Sequence, residues 1–312
     1  MSIKVLKAGM QTSIQDQGRQ QVMHLGIAKG GAIDTLSMSI ANLLLGNPLS
    51  HPVLEICLMG PSLLFTETIS IAICGAQFQL TVIKKNGERP VHNDQTIQLV
   101  AGDILHFGKR QQGARAYLAF SGELTINKIM NSYSTHFLAA FGGVQGRALQ
   151  TGDTIELVNS EQRPKQKLQQ EHQRYYSGKY LLRCTDTVES KHFSPQQTHA
   201  FYHNDYKVSN SANRMGLRLE GPVLKQLLQA DITSSGLLPG SIQIPANGLP
   251  IISSVDGQTI GGYPRIAHVI TADLFALGQL LAGDQINFVK IEIDQAHTIL
   301  AEQVNWLENI IA

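Results

Sequence analysis

The sequence predicts a mainly β protein built from two related β-barrels with a few short helices. Most segments are short runs rich in β-branched residues that end at Gly or Asn, a pattern typical of strands joined by tight turns. Residues 55–65 resemble residues 218–227, and residues 100–108 resemble residues 281–289, which indicates an internal duplication. The chain has 312 residues, and at about 100–200 residues per domain this length fits two domains.

A change in composition marks the expected boundary between the two barrels. Aliphatic residues almost vanish over residues 159–174, where Gln, Pro and charged residues take over. Such a composition is typical of an exposed linker. We therefore predict an N-terminal barrel at 1–160, a linker at 161–176, and a C-terminal barrel at 177–312 that ends in a helix.

Four segments show the strand pattern most clearly, and a second pattern predicts helices. The strand segments are 70–88, 114–122, 179–185 and 284–293. The first of them ends in Asn86 and Gly87, a dipeptide typical of a hairpin turn. Helices are predicted at 34–48, from Pro222 to residue 230, at 271–283 and at 295–312. In the first helix, Asp34 can cap the amino end, and Gly46 can end the helix in a left-handed conformation.

The charge balance argues against one class of protein, and the low charged fraction leaves two explanations for the surface. The 25 Lys and Arg against 24 Asp and Glu give a net charge of +1, which argues against nucleic-acid binding because neutralising phosphates needs a basic excess. Charged residues make up 16% of the chain, against about 25% in ordinary globular proteins. Either uncharged polar residues cover the exterior, or part of it is buried against a partner. In the second case the C-terminal helix with Trp306 and the stretch 232–255 are the candidate contact surfaces, and the isolated chain should expose an apolar patch or self-associate. Pro and Gly residues interrupt 232–255, so we predict strands and turns there rather than a membrane span.

Cysteine usage and the first residues indicate a cytoplasmic protein without a structural metal. Three cysteines with no CxxC spacing suggest neither a disulfide framework nor a zinc knuckle, and residues 1–20 lack the apolar core of a secretory signal. His199 and His203 have helical spacing, but only Asp205 stands near them as a third ligand, so no metal site is predicted.

Candidate substrate-binding residues in the first half lie in two polar segments. Asp16 and Arg19 could present a carboxylate and a guanidinium to a polar substrate, or could form an ordinary turn. Residues 131–147 contain Ser and His residues, then a Gly-rich loop that ends in Arg147. Because no orienting acid is evident for a Ser–His nucleophile, holding an anion is the more plausible role for this loop. The catalytic residues stay unidentified.

The second half contributes five more candidate substrate-binding residues. They lie next to predicted strands, and a barrel would bring their side chains to one site. Two glycines precede one of them, Tyr263, as is common where a backbone approaches a ligand, although a purely architectural turn is an equal alternative. The full set of candidates from both halves is Asp16, Arg19, Arg147, Asn213, Arg214, Gln243, Asp256 and Tyr263.

Several motifs, in one order, carry a resemblance over essentially the whole chain. They include TSIQDQGR at 12–19, STHFLAAFGGVQGR at 134–147, SNSANRMGLRLEGP at 209–222 and DGQTIGGYPRIAHVITADL at 256–274. The chain resembles the family formed by the C subunits of bacterial ATP-dependent 5-oxoprolinases, also known as the KipA or allophanate hydrolase subunit 2 family. A similar module forms the carboxyltransferase part of urea carboxylase. One departure is Gly257, which follows Asp256 where the family pattern leads us to expect a basic residue.

The resemblance implies a fold, a reaction and partners. The fold is two cyclophilin-like β-barrels, and the partners are the other 5-oxoprolinase subunits, a KipI-like B subunit and an A subunit. The complex opens 5-oxo-L-proline to L-glutamate with ATP hydrolysis, and whether this chain itself binds ATP stays open. Two alternatives remain: a carboxyltransferase that passes a carboxyl group from biotin on another subunit to urea or a similar amide, and a non-catalytic regulator that binds a KipI-like kinase inhibitor.

Overall fold

The fold is mainly β, as the sequence predicts, and it comprises two compact units. We describe it from a computed structural model that covers residues 1–225 and 233–310. The first unit comprises Met1–Arg19, Gly30–Tyr176 and the residues from Leu307 onward, and the second comprises Gln20–Lys29 and Ser177–Trp306. The predicted helix at 222–230 lies outside the described residues from residue 226 onward.

The first unit is built on one ten-stranded sheet that curls into a half-barrel. Its strands are β1 (Ser2–Lys7), β2 (Gln11–Gln15), β3 (Val53–Cys57), β4 (Ser62–Phe65), β5 (Ile69–Lys84), β6 (Gly87–Val91), β7 (Thr96–Leu99), β8 (Ile104–Phe120), β9 (Glu123–Leu124) and β10 (Thr154–Val158). The path runs β2-β3-β8-β4-β1-β10-β9, and β5 pairs with β6, β7 and β8. Alternate side chains of these strands form one apolar core, which includes Ile3, Phe65, Ile71, Leu118 and Phe120.

The long pair β5 and β8 bends where its register shifts, between Gly75 and Leu80. Such bulges increase strand twist and curl a sheet. On one side of this pair lies helix α1 (Thr35–Leu43), which begins as predicted, since the Asp34 carboxylate accepts a hydrogen bond from Ser37 N at 2.8 Å. Gly46 follows the helix with φ of 67°, which confirms the predicted left-handed stop.

Residues 161–176, where the sequence predicts a linker, lie within the first unit. Gln95 and Lys167 form an antiparallel bridge, and Leu168 is buried. The Arg174 guanidinium forms an ion pair with Asp34. A single 3₁₀ turn, Gln170–His172, lies within this segment.

The second unit contains a closed seven-stranded barrel. Its strands are β11 (Lys179–Thr185), β12 (Tyr206–Val208), β13 (Gly216–Glu220), β15 (Ser241–Gln243), β16 (Ile251–Ser253), β18 (Arg265–Val269) and β19 (Gln285–Lys290). The barrel order is β11-β18-β15-β16-β13-β12-β19, and β11 and β19 close it as a parallel pair. A separate ribbon joins β14 (Ser235–Gly236) to β17 (Ile260–Gly261).

Helices in this unit lie between and after the barrel strands. Helix α2 (Pro195–His203) is capped by Ser194 and buries Phe201, whose ring stacks on Phe288 at a centroid distance of 4.5 Å. The predicted helix at 271–283 is a 3₁₀ helix over Thr271–Gly278 instead. The carboxylate of Asp273, in its first turn, accepts hydrogen bonds from Arg183 N at 2.8 Å and Arg183 Nη2 at 2.5 Å.

The predicted C-terminal helix is confirmed as α3 (Ile293–Asn309), and Ile311 lies outside the described residues. None of its side chains is buried, and its Val304 is 49% exposed. Two further 3₁₀ turns span Met23–Leu25 and Ser190–His192. In the portions described, no helix combines the length and apolar character that crossing a membrane requires.

Candidate functional site

A cavity of about 440 Å³ opens on the barrel of the second unit, and three of the sequence-predicted residues line it together. These are Asn213, Gln243 and Tyr263, which come from three separate segments. Strand pairing explains their meeting, because β15 pairs with both β16 and β18, and β16 pairs with β13. The barrel thus assembles residues that lie far apart in the sequence.

The amide of Gln243 is the most informative group in the cavity. Gln243 is 8% exposed, and its side chain has no hydrogen-bond partner among residues 1–225 and 233–310. A Cβ on Gly261 would lie 2.5 Å from Gln243 Nε2, so only glycine allows the amide to lie against this turn. The Nε2 and Oε1 atoms of Gln243 are not among the fully buried polar atoms that lack a partner. Both atoms are therefore accessible from the cavity, where a ligand can bond them.

Asn213 presents its amino group in the same cavity. Its Oδ1 atom accepts hydrogen bonds from Met215 N at 2.8 Å and Gly216 N at 3.4 Å, as in an Asx turn. The carbonyl is therefore used by the protein. The Nδ2 group is the part of this side chain that is left to donate to a ligand.

Sequence reasoning missed several lining residues, of which Arg218 carries the most chemistry. Arg218 lies on β13 between buried Leu217 and Leu219, is exposed, and forms no ion pair within the described part of the chain. In the sequence, an arginine between two leucines is typical of any solvent-facing position on a strand. Only its place in the cavity lining identifies Arg218 as a candidate binding residue. The other polar residues that were missed are Asn247, Ser253 and Gln258. Apolar lining comes from Met215, Leu237, Pro245 and Ile251.

Arg214 and Asp256, two further predicted residues, form a buried ion pair beside the cavity rather than lining it. Arg214 Nε lies 2.7 Å from Asp256 Oδ2, and Arg214 Nη2 lies 3.2 Å from Oδ1. The two side chains are 7% and 5% exposed. The same two residues also share a backbone hydrogen bond, which Asp256 N donates to Arg214 O at 3.0 Å. This pair joins the turn before Met215 to the turn before Gln258, so it holds two parts of the cavity wall.

Arg265 anchors the ribbon that borders the cavity, although it was not among the predicted residues. Its Nη1 donates to Gly236 O at 2.6 Å, its Nη2 donates to Ser235, and its Nε donates to Glu189 Oε2 at 2.7 Å. Burial alone would raise the pKa of Glu189, but hydrogen bonds and charge from Arg265 lower it. One feature of the sequence could have identified Arg265: it directly follows the Gly-Gly-Tyr-Pro turn.

The three candidates of the first half lie in the first unit and bond protein groups. The Asp16 carboxylate accepts from Ser132 Oγ at 2.7 Å, Ser134 Oγ at 2.5 Å and the backbone N–H groups of Tyr133 and Gly18 at 2.7 and 2.8 Å. Three of these bonds tie the turn after β2 to the segment at 132–134, and the bond from Gly18 closes the turn itself. The arrangement is that of a carboxylate organising a polar network.

Arg19 and Arg147 also contact protein partners in the first unit. Arg19 is 1% exposed, donates to Ser134 O at 2.6 Å and lies 4.5 Å from the centroid of the Phe141 ring. Gly142 lies against this group: a Cβ there would clash with the backbone oxygen of Ser134 and would lie 2.7 Å from Arg19 Nη2. Arg147 forms a two-bond pair with Asp153 at 2.7 and 2.9 Å, which raises the pKa of Arg147.

The histidine pair of the sequence shows no ligand geometry for a metal. The rings of His199 and His203 stack at 3.8 Å, and His203 Nδ1 is 2.9 Å from His199 O. Among residues 1–225 and 233–310, no group of three or more His, Cys, Asp or Glu residues is placed to hold a metal ion.

Comparison with known proteins relates the chain to one family. The model of the carboxyltransferase domain, subdomains A and B, matches residues 25–290. The chain is 34% identical to the 5-oxoprolinase C subunit of Escherichia coli, over 99% of this chain and 97% of that protein. It is 31% identical to the 5-oxoprolinase C subunit of Haemophilus influenzae, again over 99% and 97%.

A solved structure gives the same relationship for the fold. The crystal structure of the urea amidolyase of K. lactis superimposes on 99% of this chain with a TM-score of 0.91 and 29% identity. The chain spans about a fifth of that larger protein, or 20% of its length. The similarity therefore covers one module of it.

Proposed function

The chain belongs to the family of carboxyltransferase domains with subdomains A and B, and from this membership we propose that it is one subunit of an ATP-dependent 5-oxoprolinase. The complex would open 5-oxo-L-proline to L-glutamate together with a KipI-like B subunit and an A subunit. Similarity to two proteins named as 5-oxoprolinase C subunits, over nearly their whole length, supports this proposal.

The cavity of the second unit is the proposed binding site for the substrate. A lactam offers one carbonyl acceptor and one N–H donor, and the Gln243 amide, which has no protein partner among the described residues, can bond both. This amide is the observation that carries the assignment. The substrate also bears one carboxylate, which the exposed guanidinium of Arg218 can bind. Asn213 and Tyr263 complete the polar wall, and Arg214 and Asp256 hold it.

The cavity residues are assigned binding and orientation of the lactam only, and no residue of this cavity is assigned to ATP. An unstrained amide is a poor electrophile, and phosphorylation of its oxygen by ATP would provide a leaving group for attack by water. One guanidinium among several amides fits a single carboxylate better than a triphosphate, which needs several cations or a row of backbone N–H groups.

Substitution of Arg218 tests the site. We expect R218Q to lower kcat/KM for 5-oxoproline at least about tenfold, mainly through KM, because a charge-assisted hydrogen bond contributes about 1.5–3 kcal/mol. The measurement is ATP-dependent glutamate release by this chain assembled with candidate A and B subunits. The matched control is K207Q, an exposed cation on the neighbouring strand β12 that does not line the cavity. Equal kinetics for R218Q and K207Q would remove Arg218 from the site.

A carboxyltransferase is the second candidate function, because the matching family model is that of a carboxyltransferase domain and the K. lactis protein shares the fold. The same amides could bind urea or a related amide. Assembly with a biotin-bearing partner separates the two functions. Substrate-dependent turnover that avidin abolishes would support the transferase, and avidin-insensitive glutamate release would support the oxoprolinase. A stable complex with the B subunit that turns over neither substrate would favour a non-catalytic regulator.

A further inference from the structure

A second cavity, of about 350 Å³, lies in the first unit and has no part in the proposed function. It sits where β5 bulges between Gly75 and Leu80 and where the turn between β6 and β7 meets residues 167–173. Apart from Phe78, its lining residues are polar: Gln77, His92, Asn93, Asp94, Gln111, Lys167 and Gln173. A wall of this composition favours a small ligand with several hydrogen-bonding groups.

The acid of this cavity, Asp94, is buried and held in an uncommon backbone conformation. It is 6% exposed and has φ of 61°. Its N–H donates to Ile73 O at 2.8 Å, and its carbonyl accepts from Leu168 N at 2.9 Å. Asp is one of the residue types besides glycine that adopt this left-handed conformation readily, and the two backbone hydrogen bonds fix it here.

The side chain of Asp94 has polar neighbours but, among the described residues, no cation paired directly with it in an ion pair. Gln77 Nε2 donates to Asp94 Oδ2 at 3.0 Å. Burial raises the pKa of Asp94, and Gln77, Cys74 and the more distant charge of Arg174 only partly oppose this effect. A bound cationic group would therefore compensate for the desolvation of this carboxylate.

Asn93, the neighbour of Asp94, has a structural role that leaves Asp94 as the ligand-facing group. Asn93 Nδ2 donates to Ala76 O at 3.3 Å, and its Oδ1 accepts from Phe78 N at 3.3 Å. These bonds replace the strand pairing that the bulge in β5 interrupts. The amide is therefore occupied on both sides by the backbone of β5.

Lys167 supplies the opposite charge in the lining of the cavity. Its backbone pairs with Gln95, next to Asp94, and its exposed ammonium forms no ion pair in the parts of the chain described. The lining therefore combines a buried anion, an exposed cation and several amides.

We propose that this cavity binds a zwitterionic α-amino acid, whose ammonium is bound by Asp94 and whose carboxylate is bound by Lys167. The amides of Gln111 and Gln173 are available to a polar side chain, and so is the Oε1 atom of Gln77, whose Nε2 group is used by Asp94 and Gly75. A phosphorylated ligand fits less well, because the lining offers one lysine against several phosphate charges. The proposal does not depend on the activity of the complex, since it concerns residues of the first unit alone.

Calorimetric titration of the full chain with L-glutamine, a zwitterion with a polar side chain, tests the proposal. We expect saturable binding by the wild type, and at least tenfold weaker binding by D94N and by K167Q. N-acetyl-L-glutamine, which lacks the ammonium, should bind at least tenfold more weakly than L-glutamine. The control K165Q removes an exposed lysine two residues away that does not line the cavity, and R218Q alters only the other cavity. Both should bind like the wild type.

We expect D94N and K167Q to keep the fold, so that a loss of binding can be assigned to the substituted side chain. Asn tolerates the left-handed conformation of residue 94 and keeps an acceptor for Gln77. Should D94N nevertheless fail to fold, K167Q decides, because its side chain is exposed. The proposal is overturned if L-glutamine does not bind at millimolar concentration, if D94N and K167Q bind like K165Q, or if R218Q abolishes binding. None of these results bears on glutamate release by the complex.

Discussion

Replacement of Asp16 by alanine should lower the free energy of unfolding of the first unit by about 3–5 kcal/mol. The carboxylate accepts four hydrogen bonds, from the hydroxyls of Ser132 and Ser134 and from the N–H groups of Tyr133 and Gly18. Alanine would leave these donors without an acceptor at a position that is 7% exposed. Urea denaturation followed by circular dichroism measures the loss, with the slope expected to stay unchanged.

Two further variants distinguish the loss of these hydrogen bonds from the effect of any substitution in this turn. D16N keeps one acceptor oxygen but places an amino group against a backbone N–H, so we expect a smaller loss, of about 1–3 kcal/mol. Q17A, at the exposed neighbouring residue, should stay within about 0.5 kcal/mol of the wild type. A loss for D16A no larger than that for Q17A would show that the network does not stabilise the fold.

Replacement of Asp256 by alanine should cost the second unit about 3–5 kcal/mol, because it leaves the buried Arg214 guanidinium without its carboxylate. The two side chains are 7% and 5% exposed and share two hydrogen bonds. The double variant R214M/D256A removes both charges and should be more stable than D256A alone. Denaturation of the four proteins of this double-mutant cycle measures the coupling.

An exposed ion pair gives the matched control for this cycle. Lys290 and Asp186 lie 2.5 Å apart, but each side chain is 45% exposed. Water already solvates both charges, so K290Q should change stability by at most about 0.5 kcal/mol. If D256A also loses so little, or if R214M/D256A is the less stable variant, burial of the Arg214–Asp256 pair does not have the energetic role assigned here.

Local features of the sequence were enough to predict the fold class and several element ends. Alternation and turn residues gave the mainly β class, and Asp34 and Gly46 marked the limits around α1. These signals act over a few residues, since caps and turns depend on adjacent backbone groups. The apolar pattern predicted a helix at 271–283 but not its 3₁₀ form over Thr271–Gly278, and it could not show that Asp273 pairs with Arg183, 90 positions away.

The candidate site was only partly predictable, because contacts between segments that are distant in the sequence decide which residues line it. Asn213, Gln243 and Tyr263 stood out as polar residues beside glycines and strands, and they do share a cavity. Arg218 gave no such signal, because an arginine between two leucines is ordinary on a strand. Asp94 was also missed, since its burial comes from the bulge in β5 and from residues 167–173.

By itself, then, the sequence determined the mainly β class, the first helix cap and the family resemblance that the comparisons bear out. The tertiary structure alone decided which polar groups meet: Asp16 with Ser132 and Ser134, Arg214 with Asp256, and Gln243 with Arg218 in one cavity. The physical reason is that capping and alternation are short-range, whereas these meetings depend on strand register and on closure of the barrel, which bring distant segments together.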